Sequence, residues 1–135
     1  VALLAGSVTA IVSAMAIGWA LGGSRETLLS LAPKSVTTPI AMGIAEKIGG
    51  LPSLTAILVV TTGILGAVMA RSLFSVLGCG DHAIRGFAVG VAAHGIGTAR
   101  AFQVSETAGA FAALAMGLNG LATALLLPLF VRLWS

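Results

Sequence analysis

Charged side chains and tyrosine are scarce in this sequence. Only 8% of its 135 residues are charged, tyrosine is absent, and 58% of the residues are hydrophobic. Soluble domains carry about 25% charged residues. A soluble chain of this length has too little interior for so many aliphatic side chains, whereas a bilayer accepts them on the outside of every helix. The composition excludes an ordinary soluble domain and predicts an all-α, polytopic transmembrane bundle, with residues 1–135 forming one domain.

Cysteine and clustered basic charge are also scarce. The single cysteine, Cys79, excludes an intramolecular disulfide and a multi-cysteine metal site. The net charge is +3, but the seven basic residues are scattered between apolar runs, which argues against nucleic-acid binding. The sequence has no Walker loop, zincin helix or nucleophile-elbow serine, and Gly95 and Gly97 lack the third glycine of a dinucleotide fingerprint. We therefore expect no enzyme activity, catalytic residue, metal or cofactor.

Three long uncharged runs are each able to cross a membrane. They occupy residues 1–21, 51–70 and 107–131, and at about 1.5 Å per residue each reaches roughly 30 Å. The first lacks a basic region and a cleavage site, so we expect no signal peptide. Because the chain opens on valine, we expect it to be N-terminally incomplete. Within the last run, Asn119 is expected to bond a neighbouring helix.

A fourth apolar segment, residues 27–48, contains a helix break. Two prolines and three hydroxyl side chains fall within residues 33–39, and both residue types disrupt regular helix. Thr38 before Pro39 predicts the N-cap of a second half-helix. Gly49 is expected to end that half-helix.

A fifth apolar segment, residues 84–102, contains a second break. Gly95 and Gly97 follow His94 where a helix should be regular. If both broken segments cross, the chain makes about five membrane crossings, two of them discontinuous helices.

The basic residues favour five crossings over a re-entrant loop at residues 33–48. Five crossings leave Lys47 and Arg100 on one side. The remaining five basic residues fall on the other side: Arg25, Lys34, Arg71, Arg85 and Arg132. The positive-inside rule then predicts a cytoplasmic C-terminus, whereas a re-entrant loop would largely remove the asymmetry.

The two broken segments echo each other weakly. Thr37 and Thr98 lie near the breaks, and Glu46 and Glu106 are each followed three residues later by glycine. Paired discontinuous helices are frequent in transporters. Under five crossings these two run in the same direction, so we do not expect them to be an inverted pair.

The first break is a candidate anion site. Backbone groups freed at membrane depth must be satisfied by protein or by a watery cavity. Free amides near Pro39, the hydroxyls of Ser35, Thr37 and Thr38, and the Lys34 ammonium suit a small carboxylate. The alternative is a lysine that snorkels beside a helix cap.

The second break is a candidate partner of the first. His94 and Arg100 would point to different faces of a regular helix, but the glycines between them would allow the two side chains to converge. Arg100 would then pair with a carboxylate, and His94 would donate a hydrogen bond or carry a proton. The alternatives are an interfacial arginine and a packed histidine. The predicted substrate-binding residues are Lys34, Ser35, Thr37, Thr38, Pro39, His94, Gly95, Gly97, Thr98 and Arg100.

Several ordered strings carry a family resemblance. They are LAPKSVTTPIAM at 31–42, IGGLPSLTA at 48–56, GILGAV at 63–68, AHGIGTARA at 93–101 and GAF at 109–111. Together they resemble the LrgB/CidB family, over essentially the whole chain. The match corresponds to the C-terminal half or more of a family member.

The resemblance implies a multi-pass protein of the bacterial inner membrane. Members are commonly partnered with a small holin-like protein of the LrgA/CidA type and are described as modulating murein hydrolases and autolysis. A plastid relative exchanges glycolate and glycerate, and members are linked to monocarboxylates such as pyruvate. We expect a secondary transporter of small monocarboxylates or, alternatively, an antiholin-like regulator acting through the holin-like partner. The expected partners are the lipid bilayer, the carboxylate and that protein, and a homo-oligomer is left open.

Overall fold

The computed structural model describes residues 1–134, and all of the regular secondary structure in that range is α-helix. The described residues form α1 (Ala2–Ala20), α2 (Arg25–Leu31), α3 (Thr38–Ile48), α4 (Pro52–Val76), α5 (His82–Val104) and α6 (Glu106–Trp134). Three of these helices are long and apolar enough to cross a membrane: α1, α4 and the Glu106–Leu133 part of α6. The all-helical transmembrane class is therefore confirmed.

The long helices are apolar on the outside and small or polar on the inside. Leu65 and Val68 of α4 and Leu125 of α6 are exposed, whereas Thr55 and Gly63 of α4 are buried. Lipid tails are as apolar as leucine, so membrane helices associate through close packing of small residues and through hydrogen bonds. This inside-out distribution agrees with a protein surrounded by lipid.

The first break lies between α2 and α3. Ser24 caps α2 by accepting a hydrogen bond from the Thr27 amide, and after Leu31 the chain is irregular until Thr38. Thr37, not Thr38, is the N-cap of α3, and its side chain makes no capping bond. The predicted cap is therefore wrong by one residue. Pro39 still falls in the first turn of α3, where the proline ring fits a helix.

The chain doubles back across this break. Gly49, with φ of 88°, ends α3 as predicted. Immediately after it, the Leu51 amide donates to the Ser30 hydroxyl of α2 over 2.8 Å. Leu29 of α2 and Ile48 of α3 also share one buried cluster. We call residues 25–48 the first hairpin and residues 32–37 its tip.

The α5 helix also doubles back. His94 has φ of 40° and ψ of −134°, which no helix accommodates. A Cβ placed on Gly97 would lie 2.7 Å from Cγ1 of Val89, although residues this far apart on a straight helix are separated by about 12 Å. We call residues 82–104 the second hairpin, with its tip at His94.

Five crossings, two of them discontinuous, are not confirmed. The longer leg of the second hairpin covers residues 82–93 and spans about 18 Å, which is short of roughly 30 Å of hydrocarbon. Each broken segment folds back beside its own beginning. Sequence patterns identify where a helix breaks. They do not show whether the chain continues in the same direction after the break or turns back.

The two hairpins approach from opposite ends of the bundle. We name these the Pro52 end and the Val76 end, after the ends of α4. The first hairpin has its base at the Pro52 end, where Thr55 donates to the Ser30 carbonyl. The second hairpin has its base at the Val76 end, where the Arg85 guanidinium lies 5.7 Å from the centroid of the Phe74 ring.

The α4 and α6 helices run in opposite directions between these ends. Gly86 and Gly90 of the second hairpin pack on the carbonyls of Ala108 and Ala112 near the start of α6. Farther along α6, Leu127 joins the buried cluster of the first hairpin. Residues 25–76 thus form a hairpin followed by a long helix. Residues 82–134 form a second unit of the same kind, which runs in the opposite direction. The expectation that the two segments run in the same direction is therefore wrong, because it assumed that both cross.

Candidate functional site at the hairpin tips

Asn119 of α6 joins the two hairpins. Its buried side-chain nitrogen donates to the Ser35 carbonyl in the first tip over 3.3 Å and to the Val91 carbonyl beside the second tip over 3.1 Å. Its side-chain oxygen accepts from the Ser7 hydroxyl of α1. The expectation that Asn119 bonds neighbouring helices is confirmed. No sequence pattern indicates that its partners lie at the two breaks.

Val59 of α4 is a second point where both hairpins meet. It is fully buried and packs with Val36 of the first tip, and its carbonyl lies 2.8 Å from Nε2 of His94. A carbonyl only accepts, so Nε2 is the protonated nitrogen of this imidazole. Gly63, one turn along α4, leaves space for the ring. The histidine is therefore packed and hydrogen-bonded, which was the alternative to a substrate role.

The first tip holds the predicted lysine and hydroxyls. Lys34 is half-buried, and its ammonium donates to the Ser35 hydroxyl over 3.3 Å. Thr37 and Thr38 are half-buried, and Pro39 is exposed. The Ala41 amide bonds the Thr37 carbonyl and Pro39 has no amide hydrogen, so the amides of Thr38 and Ile40 are the ones that a helix start leaves without an intrahelical partner. A cation, hydroxyls and the amides of a helix start therefore lie close along the chain at this tip.

The second tip is polar mainly through its backbone. The Thr98 hydroxyl donates to the His94 carbonyl over 2.7 Å, and Thr98 is buried. Gly95 is half-buried near Met116. Gly97 allows the two legs of the hairpin to touch at Val89.

Arg100 lies at the base of the second hairpin, away from the tip. It is exposed, donates to Oε1 of Gln103 over 2.8 Å, and lines a hollow that neither His94 nor Lys34 lines. The glycines at 95 and 97 thus do not bring His94 and Arg100 into one hollow. The hairpin turns at His94 itself, and Arg100 follows on the returning leg.

Two polar features were missed by sequence reasoning. Ser30 accepts from the Leu51 amide and donates to the Glu26 carbonyl, which fastens the base of the first hairpin. The other is the group of basic residues that shares the hollow with Arg100: Arg71, Arg85 and His82. An isolated hydroxyl in an apolar run is the sequence signal that could have identified Ser30. The group of basic residues becomes visible only once α5 is known to turn back.

Fold and site together define a helical membrane protein in which two opposed hairpins meet at buried polar groups. The chain belongs to the LrgB-like family, which matches residues 1–133. It is 38% identical to the uncharacterized protein YwbG of Bacillus subtilis over 87% of this chain and 52% of that protein. It is 29% identical to the holin-like protein CidB of Staphylococcus epidermidis, over 84% of this chain and 49% of that protein.

The family resemblance of the sequence is thereby confirmed. An uncharacterized protein of Haemophilus influenzae is 32% identical, again over 84% of this chain and 49% of its own length. The chain thus spans about half the length of the curated relatives it matches. No solved structure matches it significantly.

Proposed function

We propose that the protein containing this chain is a secondary transporter of small 2-hydroxy or 2-oxo monocarboxylates, the class of glycolate, glycerate and pyruvate. The observation that carries the proposal is the meeting of two opposed hairpins at Asn119. Secondary transporters typically combine inverted repeats with broken helices whose ends bind substrate near the midplane. Residues 25–76 and 82–134 support the proposal because each is a hairpin followed by a long helix, and the two units run in opposite directions.

In the proposed membrane arrangement, α1, α4 and α6 cross, and the two hairpins enter from opposite faces without crossing. Irregular backbone at membrane depth is tolerated only where protein or a cavity satisfies it. At the first tip, Ser35 and Val36 are buried, and the Ser35 carbonyl accepts from Asn119. This arrangement takes the place of the five crossings expected from sequence.

The bacterial inner membrane is proposed from the bacterial relatives. In the three-crossing arrangement the Pro52 end carries Arg25, Lys47 and Arg132, and the Val76 end carries Arg71, Arg85 and Arg100. The positive-inside rule then favours neither orientation. The cytoplasmic C-terminus stays a prediction.

The substrate site is proposed at the first tip. The Lys34 ammonium would pair with the carboxylate, and the amides at the start of α3 would complete its hydrogen bonds. Thr37 and Thr38 would bond the 2-hydroxy or 2-oxo oxygen. The opposed second hairpin would close over the bound anion and take part in alternating access.

Uptake of radiolabelled glycolate and pyruvate by proteoliposomes of the full-length protein tests this proposal. Lys34→Gln should abolish uptake, because it removes the only cation at the tip. Lys47→Gln is the matched control, since Lys47 is exposed at the end of α3. Equal uptake by both variants, or no uptake of any monocarboxylate by the unaltered protein, would overturn the proposal.

A second candidate is an antiholin-like regulator of murein hydrolase activity and autolysis. It is favoured by the similarity to a protein named holin-like protein CidB. Such a regulator would act by binding a holin-like membrane protein of the LrgA/CidA type. Co-purification with that partner, together with absence of solute flux across a panel of monocarboxylates, would support the regulator over the transporter.

A further inference from the structure

Four basic side chains surround one hollow at the Val76 end. The hollow has a volume of about 250 Å³ and lies between the last turns of α4 and both legs of the second hairpin. Arg71 comes from α4, His82 and Arg85 from the outgoing leg, and Arg100 from the returning leg. We call it the arginine hollow.

The lining of the arginine hollow contains no carboxylate among the described residues. Asp81 precedes the lining residue His82 and caps α5, where its Oδ1 accepts from the amides of Ala83 and Ile84. The three arginines repel one another, because no carboxylate stands among the lining residues to offset their charge. An anion in the hollow would remove that repulsion.

Two of the arginines are held in place by neutral groups. Nε of Arg85 donates to the Cys79 carbonyl, and its guanidinium lies over the Phe74 ring. Arg100 is held by Gln103. These contacts fix the direction of each guanidinium while leaving its charge unneutralised, which suits the fork-like recognition of phosphate or carboxylate by arginine.

The position of the hollow also suits an anion at the membrane surface. Arg71 lies five residues before the end of α4, or about 7.5 Å along the helix. In the three-crossing arrangement this depth is near the headgroups, where basic pockets between membrane helices bind acidic lipids. Phe74, Val89 and Val104 line the rest of the hollow with apolar surface.

We propose that the arginine hollow is an oxyanion site, distinct from the transport site at the first tip, that holds the phosphate of an acidic phospholipid or a soluble anion of the same chemistry. The bound oxyanion links α4 to both legs of the second hairpin. Its occupancy therefore stabilises the base of that hairpin.

Thermal unfolding of the purified full-length protein in neutral detergent tests the site. The midpoint is measured with added phosphatidylglycerol, with phosphatidylcholine of the same acyl chains and with inorganic phosphate. Phosphatidylglycerol should raise the midpoint by about 3 to 6 °C relative to phosphatidylcholine. A rise of the midpoint with phosphatidylglycerol but not with phosphate identifies the lipid as the source, and a rise with phosphate identifies a soluble anion.

The hollow variant is Arg71→Gln, Arg85→Gln, Arg100→Gln. Its matched control is Arg25→Gln, Lys47→Gln, Arg132→Gln, which removes the same charge from exposed positions outside the hollow. The anion should no longer raise the unfolding midpoint of the hollow variant, and it should still raise the midpoint of the control variant. If the hollow variant does not fold, Arg71→Gln alone, an exposed position, should weaken binding about tenfold.

Three results would overturn the site. The first is an unfolding midpoint of the unaltered protein that no added anion raises. The second is an undiminished rise of the midpoint in the hollow variant. The third is an equal loss of that rise in the control variant. Lys34→Gln should leave the rise unchanged, so that failure of this site and failure of the transport proposal are separately visible.

Discussion

Nε2 of His94 donates to the carbonyl oxygen of Val59 over 2.8 Å, and Val59 packs against Val36 in the tip of the other hairpin. One residue of α4 thus contacts both tips. The bond also accompanies a strained backbone, since a non-glycine residue at φ of 40° costs roughly 1–3 kcal/mol. Contacts made by the imidazole must offset that cost.

Replacement of His94 should therefore lower stability. His94→Ala leaves the buried Val59 carbonyl without its imidazole donor and opens a gap, and should reduce the free energy of unfolding by about 1–3 kcal/mol. Denaturant or thermal unfolding in detergent measures the change. His82→Ala, at an exposed position, should change it by less than about 0.5 kcal/mol. Similar losses in the two variants would contradict a structural role of the imidazole.

A methyl group on Gly63 should displace the imidazole. A Cβ there would lie 2.7 Å from Cε1 and 2.8 Å from Nε2 of His94, closer than van der Waals contact. Gly63→Ala should thus destabilise the protein by about 1–3 kcal/mol. Gly117→Ala on α6 meets no atom within 4 Å, and should stabilise by up to about 1 kcal/mol through helix propensity. Unfolding midpoints of the two variants should move in opposite directions, and movement in the same direction would argue against this packing.

Loss of the Asn119 amide should uncouple the hairpins. Asn119→Leu leaves the Ser35 and Val91 carbonyls without this donor, at a cost of about 1–3 kcal/mol for each group left unsatisfied, whereas the Ser7 hydroxyl keeps its bond to the Leu3 carbonyl. We expect a lower unfolding midpoint together with loss of monocarboxylate uptake. Thr61→Val, which removes an exposed hydroxyl bonded within its own helix, should leave uptake intact. Normal uptake by Asn119→Leu would show that the joined tips are not needed for transport.

The membrane arrangement predicts the sidedness of single cysteines. In a Cys79→Ser background, Gly80→Cys before the second hairpin and Glu106→Cys after it should be labelled from the same face by an impermeant maleimide, because α5 returns to its starting side. Leu21→Cys, at the far end of α1, should be labelled from the opposite face. All three positions are exposed. Labelling of residues 80 and 106 from different faces, with residue 21 labelled from the same face as residue 80, would restore five crossings.

The long helices were predictable because each depends on a local property, an uninterrupted apolar run. The predicted run 51–70 nevertheless ends six residues before α4 does, at Val76. The predicted run stops before Arg71 because arginine is charged, yet arginine has good helix propensity and its long stem reaches outward from a helix. The helix therefore continues past Arg71.

The candidate site was predicted in part. Proline, hydroxyls and lysine at 33–39 located the first tip because these residues act on their own backbone. Arg100 was grouped with His94 by sequence proximity, whereas the structure groups it with Arg71 and Arg85. That grouping depends on how far the chain turns at His94, which no pattern encodes.

The sequence by itself determined that the chain is a helical membrane protein, which family it resembles, and where its helices are interrupted. Only the tertiary structure decided that each interruption reverses the chain and that the two tips meet. The partners of Asn119 that join the tips lie 84 and 28 residues away along the chain. A break frees backbone groups locally, but the direction in which the chain leaves the break is set by the distant groups that satisfy them.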